Sequence, residues 1–266
     1  METGQWALIA GSAEGLGKAF TLLLASQKIS LIMVDSDSAA LATLAGNVET
    51  RFGIKVIPVL LDLADPLAWE QCMKEVRSVE CRMLIYNAAY SEVKPFLDHS
   101  PENLERFLDV NNRTSILLIR AFAGYLKECG KPGKILLMSS LAGLMSPQYI
   151  APYAATKSFL VSLARSLDHE FRSIGISVTV CCSGIINTSR FHESMASGKP
   201  RMAEPMAVAR YALKIAGRKP FCIHGWRNRL NYFLLSRLIP SSLASYFVNR
   251  EMDRIYPRFK SGKTSG

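Results

Sequence analysis

Along the first two-thirds of the chain, short apolar runs alternate with longer stretches in which apolar residues recur every three to four positions. The short runs read as strands buried on both faces of a parallel sheet, and the longer ones as the helices that cover it. Predicted strands are Trp6 to Ala10, Ser30 to Val34, Lys55 to Leu60, Arg82 to Tyr86, Lys134 to Met138, Ser177 to Cys181 and Phe221 to His224. Helical patterns open near Gly15, Ser38, Pro66, Pro101, Tyr149 and Glu204, each at Ser, Asp, Pro or Gly chemistry suited to a helix start. This order predicts an α/β fold: one doubly wound sheet of about seven parallel strands. No repeat, low-complexity segment or long linker divides it. Residues 1–225 are therefore expected to form a single ligand-binding and catalytic domain, and residues 226–266 an extension.

Composition narrows the class. The 266 residues are 49% hydrophobic and 20% charged, which excludes disorder, collagen and a disulfide miniprotein. Six scattered cysteines form no C-x-x-C pair, and the N-terminus lacks a charged segment followed by a long apolar run. A reducing, cytoplasmic setting without a secretory signal is expected. No run of 18 apolar residues suggests a membrane span, and Arg237 and Pro240 interrupt the nearest approach, Leu230 to Val248. The net charge of +10 is unevenly placed. Residues 1–198 hold 18 Lys and Arg against 19 Asp and Glu, whereas residues 199–266 hold 14 against 3. Such a local excess implies a partner surface in the last quarter and argues against nucleic acid as partner.

In a doubly wound sheet ligands bind beyond the carboxyl ends of the strands. After the first strand comes Gly11-Ser12-Ala13-Glu14-Gly15-Leu16-Gly17, leading into a helix. Glycines there permit a tight turn and close approach to a pyrophosphate, and the helix N-terminus offers free N–H groups. An ordinary glycine turn is the competing reading, and the strand-turn-helix setting favours a dinucleotide. Asp35 ends the second strand, where a carboxylate accepts hydrogen bonds from an adenosine ribose. With no Arg or Lys beside it to offset a 2′-phosphate, Asp35 points to NAD as cofactor; it could instead cap the next helix, as Ser36 or Asp37 could. Asp62 and Leu63 after the third strand are placed to meet adenine. Asn87, Ala88 and Ala89 after the fourth let backbone approach the cofactor.

Tyr153 and Lys157 stand at i and i+4 of a helical pattern, on one face. A phenol titrating near ~10 is a poor base at neutral pH, and a neighbouring cation favours its ionised form. A core Tyr with a surface Lys is the ordinary alternative. Ser140, at the end of the fifth strand, weighs against it, because its hydroxyl can orient a substrate oxygen beside the phenol.

With these residues in order, the chain resembles the short-chain dehydrogenase/reductase family over about residues 5 to 225: the Gly11, Gly15, Gly17 turn, Asn87-Ala88-Ala89, Asn111, Ser140, Tyr153 and Lys157. The resemblance implies a Rossmann-type fold using NAD(H) or NADP(H). It implies Tyr153 as acid/base, Ser140 orienting the reacting oxygen, and Lys157 lowering the phenol's pKa and binding ribose. Asn111, chosen over Asn112 by the Val-Asn spacing, would support a water and proton relay. Gly184, Ile186 and Thr188 would line the nicotinamide, and a homodimer or homotetramer would be the assembly. Two departures are Ala89 where the family has glycine and Ser183 where it has proline.

Ser189 to Pro205, with Phe191, Met195 and Met202, is expected to be a lid over an apolar substrate, or a plain surface loop. His192 has no neighbouring ligand, and no catalytic metal is expected. The extension sets Trp226, Leu230, Phe233 and Leu243 to Val248 among Arg227, Arg229, Arg237, Arg250, Arg254, Arg258, Lys260 and Lys263. It reads as a helix packed on its own domain or a sister subunit, as a peripheral anchor on an anionic membrane, or as a site for an acidic carrier or nucleotide-linked substrate. The expectation is an NAD-dependent oxidoreductase interconverting a secondary alcohol and a ketone, on a small, apolar or lipid-like molecule. An NADPH-dependent carbonyl reductase is the alternative within the class, and a cofactor-binding scaffold without catalysis the alternative outside it.

Overall fold

Strands that are apolar without alternation need cover on both sides, and the seven runs do pair into one all-parallel sheet in the order β3-β2-β1-β4-β5-β6-β7. The structure, a computed structural model, describes residues 5–189, 191 and 201–260. The strands are β1 (Trp6–Ala10), β2 (Ser30–Asp35), β3 (Val56–Leu60), β4 (Cys81–Tyr86), β5 (Gly133–Ser140), β6 (Ile176–Ser183) and β7 (Phe221–Ile223). Between them run α1 (Gly15–Ser26), α2 (Ser38–Phe52), α3 (Ala68–Ser78), α4 (Pro101–Leu108), α5 (Thr114–Glu128), α6 (Ala142–Met145), α7 (Ala151–Phe171) and α8 (Pro205–Ile215). The extension forms α9 (Trp226–Phe233), α10 (Ser241–Ile255) and the short α11 (Pro257–Lys260).

Alternate residues of each central strand feed two separate cores. Leu8 and Ala10 of β1, with Ile32 and Val34 of β2, pack under α3, α5 and α7 through Cys72, Phe122 and Leu160. Ala7 and Ile9, with Leu31 and Met33, pack under α1, α2 and α8 through Phe20, Leu44 and Val208. This period-two division is the reason the strands carry no polar face.

Two helix starts differ from expectation for local reasons, and one expected helix is divided. The pattern opening near Pro66 becomes helical only at Ala68, because the Asp65 carboxylate accepts the Leu67 N–H at 2.7 Å and holds a turn there. The pattern at Pro101 is not one helix. A π-helical turn, Asp109–Arg113, separates α4 from α5, and the Ser115 hydroxyl donates to the carbonyls of Asn111 and Asn112 at 3.0 and 2.8 Å. The helix expected near Tyr149 starts at Ala151, because Tyr149 has a left-handed φ of 67°. Ion pairing also locks the far end of α7. Buried Asp168 meets Arg172 at 2.7 Å and accepts the Val178 N–H of β6 at 3.0 Å.

Candidate functional site

The chain leaves β1 toward one core and β4 toward the other, so a crevice opens between their carboxyl ends. The glycine turn lies there and is stapled from three sides. The Asn87 amide donates to the Gly11 carbonyl at 2.8 Å. The N–H groups of Asn87 and Ala88 both reach the Ala10 carbonyl, at 3.0 and 2.8 Å. Asp35 accepts the Ala13 N–H at 2.8 Å and the Asp37 N–H at 3.2 Å. Gly11 has φ 77°, and a Cβ on it would lie 2.7 Å from Ala88 Cα, so no other residue fits without moving β4's turn. A Cβ on Gly17 would run into the Gly11 carbonyl oxygen.

A cleft of about 1330 Å³ follows this turn. Gly11, Gly15, Leu16, Asp35, Asp62 and Leu63 line it, as do Asn87, Ala88, Ala89 and Thr188. Ten of the expected cofactor residues thus converge from the ends of β1, β2, β3, β4 and β6, whereas Gly17, Tyr153, Lys157, Gly184 and Ile186 do not line the cleft. Ser12 does not reach it through its side chain: the hydroxyl is fully buried and donates to the Val34 carbonyl at 3.2 Å. Asp37, and not Asp35, caps α2, accepting the Ala40 N–H at 3.0 Å. Asp35 is left facing the cleft. Asp62 also faces it, already paired with Arg106 at 2.8 Å, a cation that spacing gave no reason to associate with it.

The catalytic candidates stand at the end of β5 and the start of α7. Ser140 Oγ accepts the Ala142 N–H at 3.1 Å, which leaves the hydroxyl proton to donate, and it is near enough to the Tyr153 phenol to pull its pKa down. Lys157 Nζ lies 5.6 Å from the centre of the Tyr153 ring. It donates to the Met138 carbonyl at 2.9 Å, and Ser139 Oγ donates to the Lys157 carbonyl at 2.8 Å. Gly143 allows this closeness, since a Cβ there would sit 2.6 Å from the Lys157 carbonyl carbon.

Burial pushes the Tyr153 phenol up to about 12, more than the neighbouring Ser140 brings it down. Burial also lowers Lys157 to about 8. The expected lowering of the phenol by Lys157 is therefore not the state of the protein alone, because the ammonium is turned to the Met138 carbonyl. Asn111 is wholly buried in the π-helical turn. Its amide donates to the Tyr90 carbonyl at 3.0 Å and to Thr156 Oγ1 at 2.9 Å, and its oxygen accepts the Tyr90 N–H at 2.7 Å. Asn111 thus ties the loop after β4 to α7, while Asn112 makes a 3.3 Å bond to the Thr156 carbonyl.

Past β6, Gly184 abuts α9: a Cβ on it would lie 3.0 Å from Asn228 Nδ2. Ile186 bridges to Ala203. Thr188 sits beside the glycine turn, 2.9 Å from where a Cβ on Gly15 would stand. Of the lid expected at 189–205, residues 190 and 192–200, with Met195 and His192, lie outside the described residues.

The end of the extension packs on its own domain, as one of its expected readings has it. Met252, Ile255 and Tyr256, from the end of α10, are buried against Val93, Tyr149, Ile150 and Ile185. Asp253 accepts from Gln148 Nε2 at 2.6 Å and from the Tyr149 hydroxyl at 3.0 Å, and Asn249 Oδ1 accepts the Gln148 N–H at 2.9 Å. These bonds cross about a hundred residues and hold Tyr149 in its left-handed conformation four positions before Tyr153.

A parallel doubly wound sheet with a glycine cradle at its crevice, and with Ser, Tyr and Lys grouped one strand away, has the architecture of a dinucleotide-dependent oxidoreductase. A family model described as short chain dehydrogenase matches residues 5–198. The chain belongs to that family. It is 28% identical over 249 residues to a very-long-chain 3-oxoacyl-CoA reductase-like protein of Arabidopsis thaliana, covering 90% of this chain and 78% of that one. It is 30% identical over 191 residues to a very-long-chain 3-oxoacyl-CoA reductase of Neurospora crassa, covering 70% and 57%. A Meyerozyma guilliermondii reductase of the same name is 25% identical over 228 residues, covering 81% of this chain and 66% of its own length. The matched stretch is thus little more than half of some of these relatives.

Among solved structures, a 7beta-hydroxysteroid dehydrogenase superposes with a TM-score of 0.85 at 22% identity, over 92% of this chain and 97% of the other. A short-chain dehydrogenase from Sphingobium yanoikuyae in complex with NADPH gives 0.78 at 22% identity, over 88% and 94%. The two share the fold. The glycine turn, packed closely on neighbouring backbone at Gly11 and Gly17 and facing the cleft through Gly11 and Gly15, suits the nicotinamide dinucleotide that this family uses.

The titration of Lys157 gives a signed expectation for stability. Below pH 8 it is charged both folded and unfolded, and the cost of burying the ammonium is carried in full. Between about 8 and 10.5 the folded state loses the proton first, so stability rises with pH there. Urea unfolding without cofactor should show wild type gaining on Lys157→Met between pH 7 and pH 10. A constant difference would contradict a buried cation. For the α10 contact, Asp253→Ala should cost roughly 2 kcal/mol and speed amide exchange in α10. Asp253→Asn, which keeps an acceptor oxygen, should retain most of both.

Proposed function

We propose that this chain is an NAD(H)-dependent oxidoreductase interconverting a ketone and a secondary alcohol on an apolar, lipid-like substrate. The observation that carries the reading is the grouping of Ser140, Tyr153 and Lys157, with Ser140 beside the phenol and Lys157 Nζ 5.6 Å from its ring. When bound, the nicotinamide supplies or accepts the hydride. Ser140 would donate a hydrogen bond to the substrate oxygen and orient it. Tyr153, with a phenol near 12, is protonated at neutral pH and is therefore loaded as the acid of the reductive direction, giving its proton to the oxygen as the carbonyl is reduced. Lys157 stabilises the phenolate left behind.

Asp35 supports NADH over NADPH. Its carboxylate is fixed by two backbone N–H groups and faces the cleft, so a 2′-phosphate would be brought against a negative charge that cannot turn away. The reductase names of the relatives support a lipid-like substrate.

Tyr153→Phe should lose turnover by about a thousandfold or more while still binding NADH; full turnover in this variant would overturn the proton assignment. In a cofactor titration, wild type should bind NADH at least roughly tenfold tighter than NADPH, and Asp35→Ser should erase that preference. Equal affinities in wild type would refute the assignment to NAD and leave the rest standing.

A further inference from the structure

Half of the large apolar side chains exposed among the described residues fall within residues 226–247: Trp226, Leu230, Phe233, Leu234, Leu238, Leu243, Tyr246 and Phe247. Neither α9 nor the π-helical turn that follows it, Leu234–Leu238, contains a single buried residue. The segment is nonetheless anchored to the domain. Asn228 donates to the His224 carbonyl at 2.8 Å beside Gly184, Tyr232 packs against the main core, and the far end of α10 is held by Asp253. An anchored segment rich in leucine and aromatic residues that buries none of them is a surface built for contact.

Spacing puts these side chains in stripes. Trp226, Leu230, Phe233 and Leu234 fall at i, i+4, i+7 and i+8 of one helical course, and Leu243, Tyr246 and Phe247 at i, i+3 and i+4 of α10. Arg227, Arg229, Arg237 and Arg250 are exposed among them, and residues 226–250 contain no Asp or Glu. This charge selects the occupant. In a two-fold pairing each copy presents the same patch, so arginines would face arginines with no carboxylate in the segment to pair with. An anionic lipid surface supplies what is missing: headgroup charge for the arginines and an acyl boundary for the leucines, with Trp226 and Tyr246 suited to the interface between them. No helix among the described residues is long and apolar enough to cross a membrane, so the contact would lie in the plane of the bilayer.

We propose that residues 226–250 dock this protein on the surface of anionic membranes, with α9, its π-helical turn and the outer side of α10 seated at the headgroup level. This goes beyond the reaction and does not depend on it.

The test is co-sedimentation of the full chain with vesicles of phosphatidylcholine alone and of phosphatidylcholine with about 30% phosphatidylserine. Expected is binding to the mixed vesicles, little to the neutral ones, and a marked loss in high salt. A Trp226→Ser, Leu238→Ser, Phe247→Ser triple variant should lower the bound fraction at least tenfold. An Arg227→Gln, Arg229→Gln, Arg237→Gln variant should do the same for the mixed vesicles. Both should keep NADH binding and far-ultraviolet circular dichroism, since every position changed is exposed. Wild type left in the supernatant with mixed vesicles would overturn the proposal. So would equal binding of the apolar variant. Sedimentation velocity covers the other occupant: a wild-type dimer that the triple variant dissociates would assign the face to a second copy.

Discussion

The crevice between β1 and β4 depends on a reversal of direction: α1 follows β1 onto one face of the sheet, and α4 and α5 follow β4 onto the other. Backbone groups at these strand ends have lost their ladder partners and cannot be left unpaired. Asn87, Asp35 and the N–H groups of Asn87 and Ala88 supply the missing bonds, so the same atoms that complete the sheet also hold the glycine turn in place. Everything on the nucleotide side takes its position from that set.

The catalytic side is arranged by a second satisfaction of the same kind. Beyond β5, the Met138 carbonyl takes the Lys157 ammonium and Ser139 takes the Lys157 carbonyl, drawing α7 onto the strand end. A charged amine that is 3% exposed is costly to hold, and its lowered pKa expresses that cost. The phenol beside it is raised for the same reason. A phenol is protonated at neutral pH even at its ordinary pKa, and burial holds the proton on Tyr153 more firmly.

The extension has two sides with different physics. Its inner side, from Asn249 to Tyr256, is packed and hydrogen-bonded into the domain around Gln148 and Tyr149. The outer side keeps its leucines and aromatics in solvent among arginines. One helix, α10, carries both, so whatever meets the outer side acts on the element that also braces Tyr149.

Much of this could be read directly. Unbroken apolar strands, the glycine spacing, Asp35 at a strand end, Ser140, and Tyr153 with Lys157 at one helical turn are local signals, because strand burial and helix periodicity are properties of neighbours in the chain. The left-handed Tyr149 and the π-helical turn at Asp109–Arg113 were not legible, since no glycine stands at either. Nor were the pairing of Asp62 with Arg106, the direction of the Lys157 ammonium, and the reach of Asp253 back to Gln148. By itself the sequence determined the sheet, the order of its elements and the candidate residues for its site. The tertiary structure alone decided which of them are desolvated, which already have partners and what closes the site, because burial and hydrogen bonding between segments a hundred residues apart exist only once the chain has folded.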